Sequence, residues 1–112
     1  MSEAINKIWS TLLAVPKGKV VSYGQLADLA GQPRGHRLAA RALKIAPDEL
    51  QLPWHRVIAA SGKIAIAKES ESYRLQMELL RAEGVEVTNG RINMNKYRWQ
   101  PDLAELLWTL KH

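Results

Sequence analysis

Two groups of side chains in this sequence have the types and spacing for chemistry. The first is Leu52-Pro53-Trp54-His55-Arg56-Val57-Ile58, which has the shape of a catalytic turn: a proline, two functional side chains, then β-branched residues. A nucleophile at the first functional position, with an imidazole beside it to take the proton, would suit group transfer. Trp54 stands there instead, and it has no nucleophilic atom to offer. His55 then adjoins nothing that it could activate, so a structural, hydrogen-bonded histidine is the plainer reading of it. The second group is basic. At 100° per residue Arg34, Arg37, Arg41 and Lys44 fall in one helical arc, opposite Ala39, Ala42 and Leu43, which face a core. No acidic residue occurs between Asp28 and Asp48. Solvated helix faces usually interleave both signs for i,i+4 pairing, so an unopposed arc points to phosphate. Small Gly35 and Ala40 flank it and would let the helix axis come close to a nucleic acid backbone. It carries no Asn or Gln beyond Gln32, so bidentate adenine readout is not expected.

Composition sets the bounds. A chain of 112 residues, 46% hydrophobic, fits one compact domain over 1–112. No run approaches the ~18 apolar residues of a membrane span, and the first residues mix charges with apolar side chains, unlike a secretory signal. A cytoplasmic protein is expected, associated with the nucleoid if the source is prokaryotic. The absence of cysteine excludes disulfides, Cys-ligated zinc and any thiolate nucleophile. No metal or cofactor is expected. A formal charge of +5 and a pI near 9.7 favour a polyanionic partner without proving one.

The elements that must position these groups follow from periodicity and punctuation. Ile5, Ile8, Trp9, Leu12 and Leu13 follow helical spacing from a Ser2 cap and stop at Pro16-Lys17-Gly18. After β-prone Val20-Val21, Ser22 and Gln25 form a capping-box pattern opening a short helix, Tyr23 to Ala30, closed by Gly31. Pro33 suits a first helical position, and the next helix runs to about Ile45, before Pro47. Two short helices joined through a glycine-containing turn make a helix-turn-helix candidate. Further on, Ser61-Gly62 marks one hairpin turn and Asn89-Gly90, between Val85/Val87 and Ile92/Met94, another. Between them Ser72 is expected to cap a helix lined by Leu75, Leu79, Leu80 and Ala82 and ended by Glu83-Gly84. Pro101 opens a last helix with Leu103, Leu106, Leu107 and Leu110 inward. Trp99 and Trp108 read as core anchors.

Residues 5–84 resemble the C-terminal, DNA-binding domain of the O6-alkylguanine-DNA alkyltransferases. The resemblance is carried by VVSYGQLA, by GQPRGHRLAARAL, and by PWHRV where those suicide enzymes carry PCHRV. With Trp54 in place of the acceptor cysteine, the chain looks like the alkyltransferase-like proteins, which the resemblance implies are non-enzymatic lesion binders. The implied fold is mainly α with small β-hairpins, a winged helix-turn-helix-like domain. The implied partners are double-stranded DNA containing O6-alkylguanine and nucleotide excision repair proteins, with the chain a monomer.

The resemblance makes Tyr23 the residue that turns the phosphate 3′ to the lesion, and Arg37 the finger that fills the stack where the base is flipped out. It places Tyr23, Trp54, His55, Arg56 and Val57 at the lesion pocket, and His55 and Glu83 as turn-bracing remnants of the network that activated the lost thiol. Arg34, Arg41 and Lys44 are read as backbone contacts. Three departures stand out: Ala46 replaces an Asn that braces the turn, a stretch containing Ala67-Lys68-Glu69 replaces the YSGG substrate loop, and the usual N-terminal domain is absent. Two other classes stay open from the residues. A helix-turn-helix regulator explains the basic helix but predicts a dimer and leaves PWHRV unexplained. A glycosylase using Glu83 or His55 explains base flipping but requires product release.

Overall fold

A computed structural model of the chain describes residues 2–102 and 104; the helix expected from Pro101, with Trp108 and most of its leucines, lies outside the described residues. Helix α1 spans Glu3–Ala14, and the Ser2 hydroxyl accepts from the Ile5 amide at its start. Strand β1 is Val21–Ser22, helix α2 Tyr23–Leu29 and helix α3 His36–Ile45. A 3₁₀ turn at Trp54–Arg56 leads into strand β2, Val57–Ile58. Helix α4 is Glu71–Ala82, and α5 is a single turn at Met94–Tyr97. The architecture is mostly helical with one two-stranded sheet, as the resemblance implied.

β1 and β2 pair in parallel, Val21 with Val57 and Ser22 with Ile58. This pair divides two cores. One gathers Ile5, Ile8, Leu12, Leu26, Ala27, Ala39 and Ala42 from α1, α2 and α3, with Trp99 packed against it. The other gathers Ile58, Ile64, Leu80, Val85, Val87 and Ile92 around α4 and the two hairpin turns. α3 is fixed to the first core by alanines small enough for close helix packing and by the Trp9 indole N–H, which donates to the Ala42 carbonyl at 2.7 Å. The Gln25 side chain, expected to reach back to its own cap, instead donates to the Trp99 carbonyl.

Other expectations need correction. Leu13 is 54% exposed; Thr11 takes the inward place, its hydroxyl satisfied by donating to the Lys7 carbonyl at 2.7 Å. Arg34 is not on α3. Nor is Pro33, since α3 begins only at His36; Arg34 has a φ of +62° in a turn packed so closely on itself and on α2 that a Cβ at Gly35 would stand 2.7 Å from the Gln32 carbonyl oxygen and 3.2 Å from the Ala27 Cβ. α4 is capped by Ser70, whose hydroxyl accepts from Tyr73 N, not by Ser72. Its inward face is Tyr73, Gln76, Met77 and Leu80, while Leu75 is 47% exposed and Ala82 is exposed. The polar Gln76 at the centre of that face hid it from a reading by apolar spacing.

Asn89 and Gly90 both take positive φ, the geometry of a two-residue hairpin turn, closed by the Thr88–Arg91 bridge. Met94, expected in its outgoing strand, instead begins α5. The Asn93 side chain accepts from the amides of Asn95 and Lys96 and so caps that turn.

Candidate DNA-lesion site

The turn carrying Trp54 is held from behind by one carboxylate. Glu83 closes α4 and sits 10% exposed. It accepts from His55 Nε2 at 2.7 Å, from Arg56 Nε at 3.0 Å and Nη2 at 2.7 Å, and from the Gly18 amide at 3.1 Å. The Arg56 contact is a two-toothed fork, and its remaining nitrogen donates to the Val15 carbonyl at 2.8 Å. Burial by itself pushes the Glu83 carboxyl up, but the hydrogen bonds from Arg56, His55 and Gly18 outweigh it and hold the group at about 2. Gln76 adds a second tie from α4, its amide donating to the carbonyls of His55 at 3.1 Å and Val57 at 2.9 Å. Three segments distant in sequence thus meet at the turn: the α1–β1 loop, the end of α4 and PWHRV.

In front of the turn lies a cleft of about 290 Å³, lined by Leu43, Ala46, Pro47, Asp48, Gln51, Leu52 and Trp54. That is near the lower end of small-ligand sites, ~300 Å³. Trp54 is half-buried and meets the His55 ring edge-on, at 6.2 Å between centroids and 88° between planes. Its other surroundings are the end of α3 and the loop after it, where Ala46 presents only a methyl group. Asp48 and Gln51 supply polar lining.

The structure therefore separates residues that the sequence grouped. Trp54 lines the cleft; His55 and Arg56 face Glu83, and Val57 is buried in the first core. Arg56, read from the sequence as pocket, is part of the brace. Tyr23 opens α2, half-buried against the first core rather than a free phenol, and burial raises its pKa, so it is neutral beside any phosphate. On α3, Arg37, Arg41 and Lys44 are exposed, as is Arg34 in the preceding turn, and among the described residues none is in an ion pair. Gln76 and the Gly18 amide were missed. The glycine after Pro16 and a polar residue inside an otherwise apolar helix face were the signals available for them.

A basic helix on a helix-turn-helix, set beside a braced turn and a cleft, defines a DNA-binding module with room for one inserted group. Residues 3–85 match the family described as the 6-O-methylguanine DNA methyltransferase, DNA binding domain, and the chain belongs to it. Within that family it is of the alkyltransferase-like type. It is 39% identical to a DNA base-flipping protein of Vibrio parahaemolyticus over 90% of this chain and 100% of that one. It is 33% identical to alkyltransferase-like protein 1 of Schizosaccharomyces pombe, over 90% and 98%. The crystal structure of that yeast protein in complex with damaged DNA containing O6-carboxymethylguanine superposes with a TM-score of 0.81, covering 90% of this chain and 98% of that one.

Proposed function

We propose that the protein binds O6-alkylguanine in duplex DNA from the minor groove, flips the base into the cleft beside Trp54, and does so without alkyl transfer. One observation carries the reading: Glu83 still braces the turn through His55 and Arg56, yet the turn presents an indole to the cleft, in a chain with no cysteine. What the brace now positions is a stacking surface, worth ~1–3 kcal/mol per stacked base. The yeast relative's complex with O6-carboxymethylguanine DNA supports the lesion class.

The steps follow from physical chemistry. A damaged guanine pairs poorly, so extruding it costs less than the few kcal/mol for an intact base, and that difference is itself selective. Arg37 fills the vacated stack. Arg34, Arg41 and Lys44 hold the backbone without reading sequence, so a monomer scans nonspecifically until a weak pair yields. Tyr23, neutral, turns the phosphate beside the flipped nucleotide. Duplex bending toward the major groove is expected of a minor-groove binder.

A binder without chemistry repairs nothing alone. The bent duplex is the signal, and nucleotide excision repair is the machinery that reads such distortion. Deleting the gene is expected to sensitise cells to O6-alkylating agents only while nucleotide excision repair is intact; additive sensitivity in the double mutant would overturn the hand-off. Titration of lesion and undamaged duplexes tests the binding itself, and equal affinities would overturn it.

A further inference from the structure

A second cleft, this one basic, lies on the other core. It measures about 320 Å³ and is lined by Lys63, Lys68 and Arg91 with Ile64, Tyr73, Asn89 and Gly90. Its geometry is unusual for a surface left to solvent. Lys63 and Arg91 face each other across an antiparallel bridge between the two hairpins. The flanking bonds run from Ile64 N to the Gly90 carbonyl at 2.9 Å and from Ile92 N to the Gly62 carbonyl at 2.8 Å. Lys63 and Arg91 are therefore the non-hydrogen-bonded kind of pair, whose side chains stand closest, and like charges placed so destabilise a sheet. Lys68, from the stretch that stands in place of the relatives' substrate loop, adds a third cation; it lines this cleft and not the one beside Trp54.

Among the described residues none of the three is in an ion pair; Glu69 and Glu71, near in sequence, are exposed and paired with none of them. The floor is fixed: Gly90 has a φ of +73°, and a side chain there would collide with the Tyr73 hydroxyl. Three cations line one cleft on a fixed floor, and the cost of opposing two of them is one that a bound anion would relieve.

We propose that this cleft is a second DNA-backbone site, holding phosphates of the same duplex within about five base pairs of the lesion. The proposal rests on the lesion-binding reading above. Chain geometry limits the reach. Trp54 and Ala59 are five residues apart, at most about 18 Å along an extended chain, and the Lys63 carbonyl accepts from Ala59 N at 2.9 Å. At ~3.4 Å per base pair that is ~5 base pairs at most, so the cleft is close enough for a duplex with its lesion at Trp54 to reach it. The two hairpins would then act as the wing beside the recognition helix.

Lys63→Glu separates binding from folding. It converts a repulsive cross-strand pair into an attractive one, so its thermal midpoint should be equal to or above that of the wild type. Its dependence of log affinity on log salt should nevertheless be shallower by ~0.9 or more, one phosphate contact or more lost. Arg91→Ala should show the same slope change. The measurement is made on O6-methylguanine duplexes with ~12 base pairs on both sides of the lesion, and on two others trimmed to ~3 on one side or the other. One trimmed duplex should bind wild type and Lys63→Glu with equal slopes. Slopes equal to wild type on the long duplex overturn the second site while leaving lesion binding standing. A wild type without lesion preference overturns the reading beneath it. Loss of slope on both trimmed duplexes alike would mean a diffuse field effect and would also overturn the site.

Discussion

The protein handles its arginines in two opposite ways. Arg56 is mostly buried, its fork closed on Glu83 and its last nitrogen on the Val15 carbonyl, so every charge there has a partner inside the fold. Arg37 and Arg41, with Lys44, stand exposed on α3 with no carboxylate against them among the described residues. The paired set spends its interactions on holding one turn still. The unpaired set keeps its interactions for something outside. The brace acts on His55, on Arg56 and on the backbone of the turn, not on the side chain at position 54, so the same scaffold can carry an indole there.

The comparison is broken most severely at Glu83. Glu83→Ala leaves the Arg56 cation buried without its partner, and about 3 kcal/mol of stability should be lost, read from the denaturant midpoint. The same group predicts an acid limit. Its folded pKa of about 2 lies below the ordinary 4.5, so its contribution is complete above about pH 4.5. It fades as the pH falls from there toward 2. Stability flat from pH 5 to 2, or Glu83→Ala showing the same acid loss as wild type, would remove the brace from the account.

Trp54→Ala comes next. It keeps the brace and removes the stacking face, so affinity for lesion DNA should drop ~10- to 100-fold with undamaged duplex little changed. A uniform loss on both duplexes would make Trp54 a folding residue. The smallest contrast is within the unpaired set. Arg37→Ala should erase lesion preference while sparing most nonspecific affinity, because a finger acts only once a base is out. Lys44→Ala should weaken both duplexes alike and flatten the salt dependence by ~0.9. Equal behaviour of the two variants would reduce Arg37 to another backbone contact.

Much of this division was legible in the sequence. The capped helices α1 and α2, the basic helix and the His55–Glu83 pairing follow from local spacing and from the resemblance in PWHRV. What escaped depended on distant segments meeting. Nothing near Arg56 marks it as bound to a carboxylate 27 residues away. Gln76 reads as a break in an apolar pattern until the carbonyls of His55 and Val57 are seen beside it. Arg34 fits the helical arc by angle, and only the contact of Gly35 with α2 puts it in a turn. The parallel β1–β2 pair is likewise set by tertiary packing, since two residues carry too little pattern to declare a partner.

The central claim is lesion binding with no transfer, and intact-protein mass measured together with lesion recovery tests it most directly. After prolonged incubation with a stoichiometric O6-methylguanine duplex, under conditions where binding is saturated, the protein mass should be unchanged and all of the O6-methylguanine should be recovered from the DNA. A protein heavier by one methyl group, or a stoichiometric loss of the modified base, would contradict it.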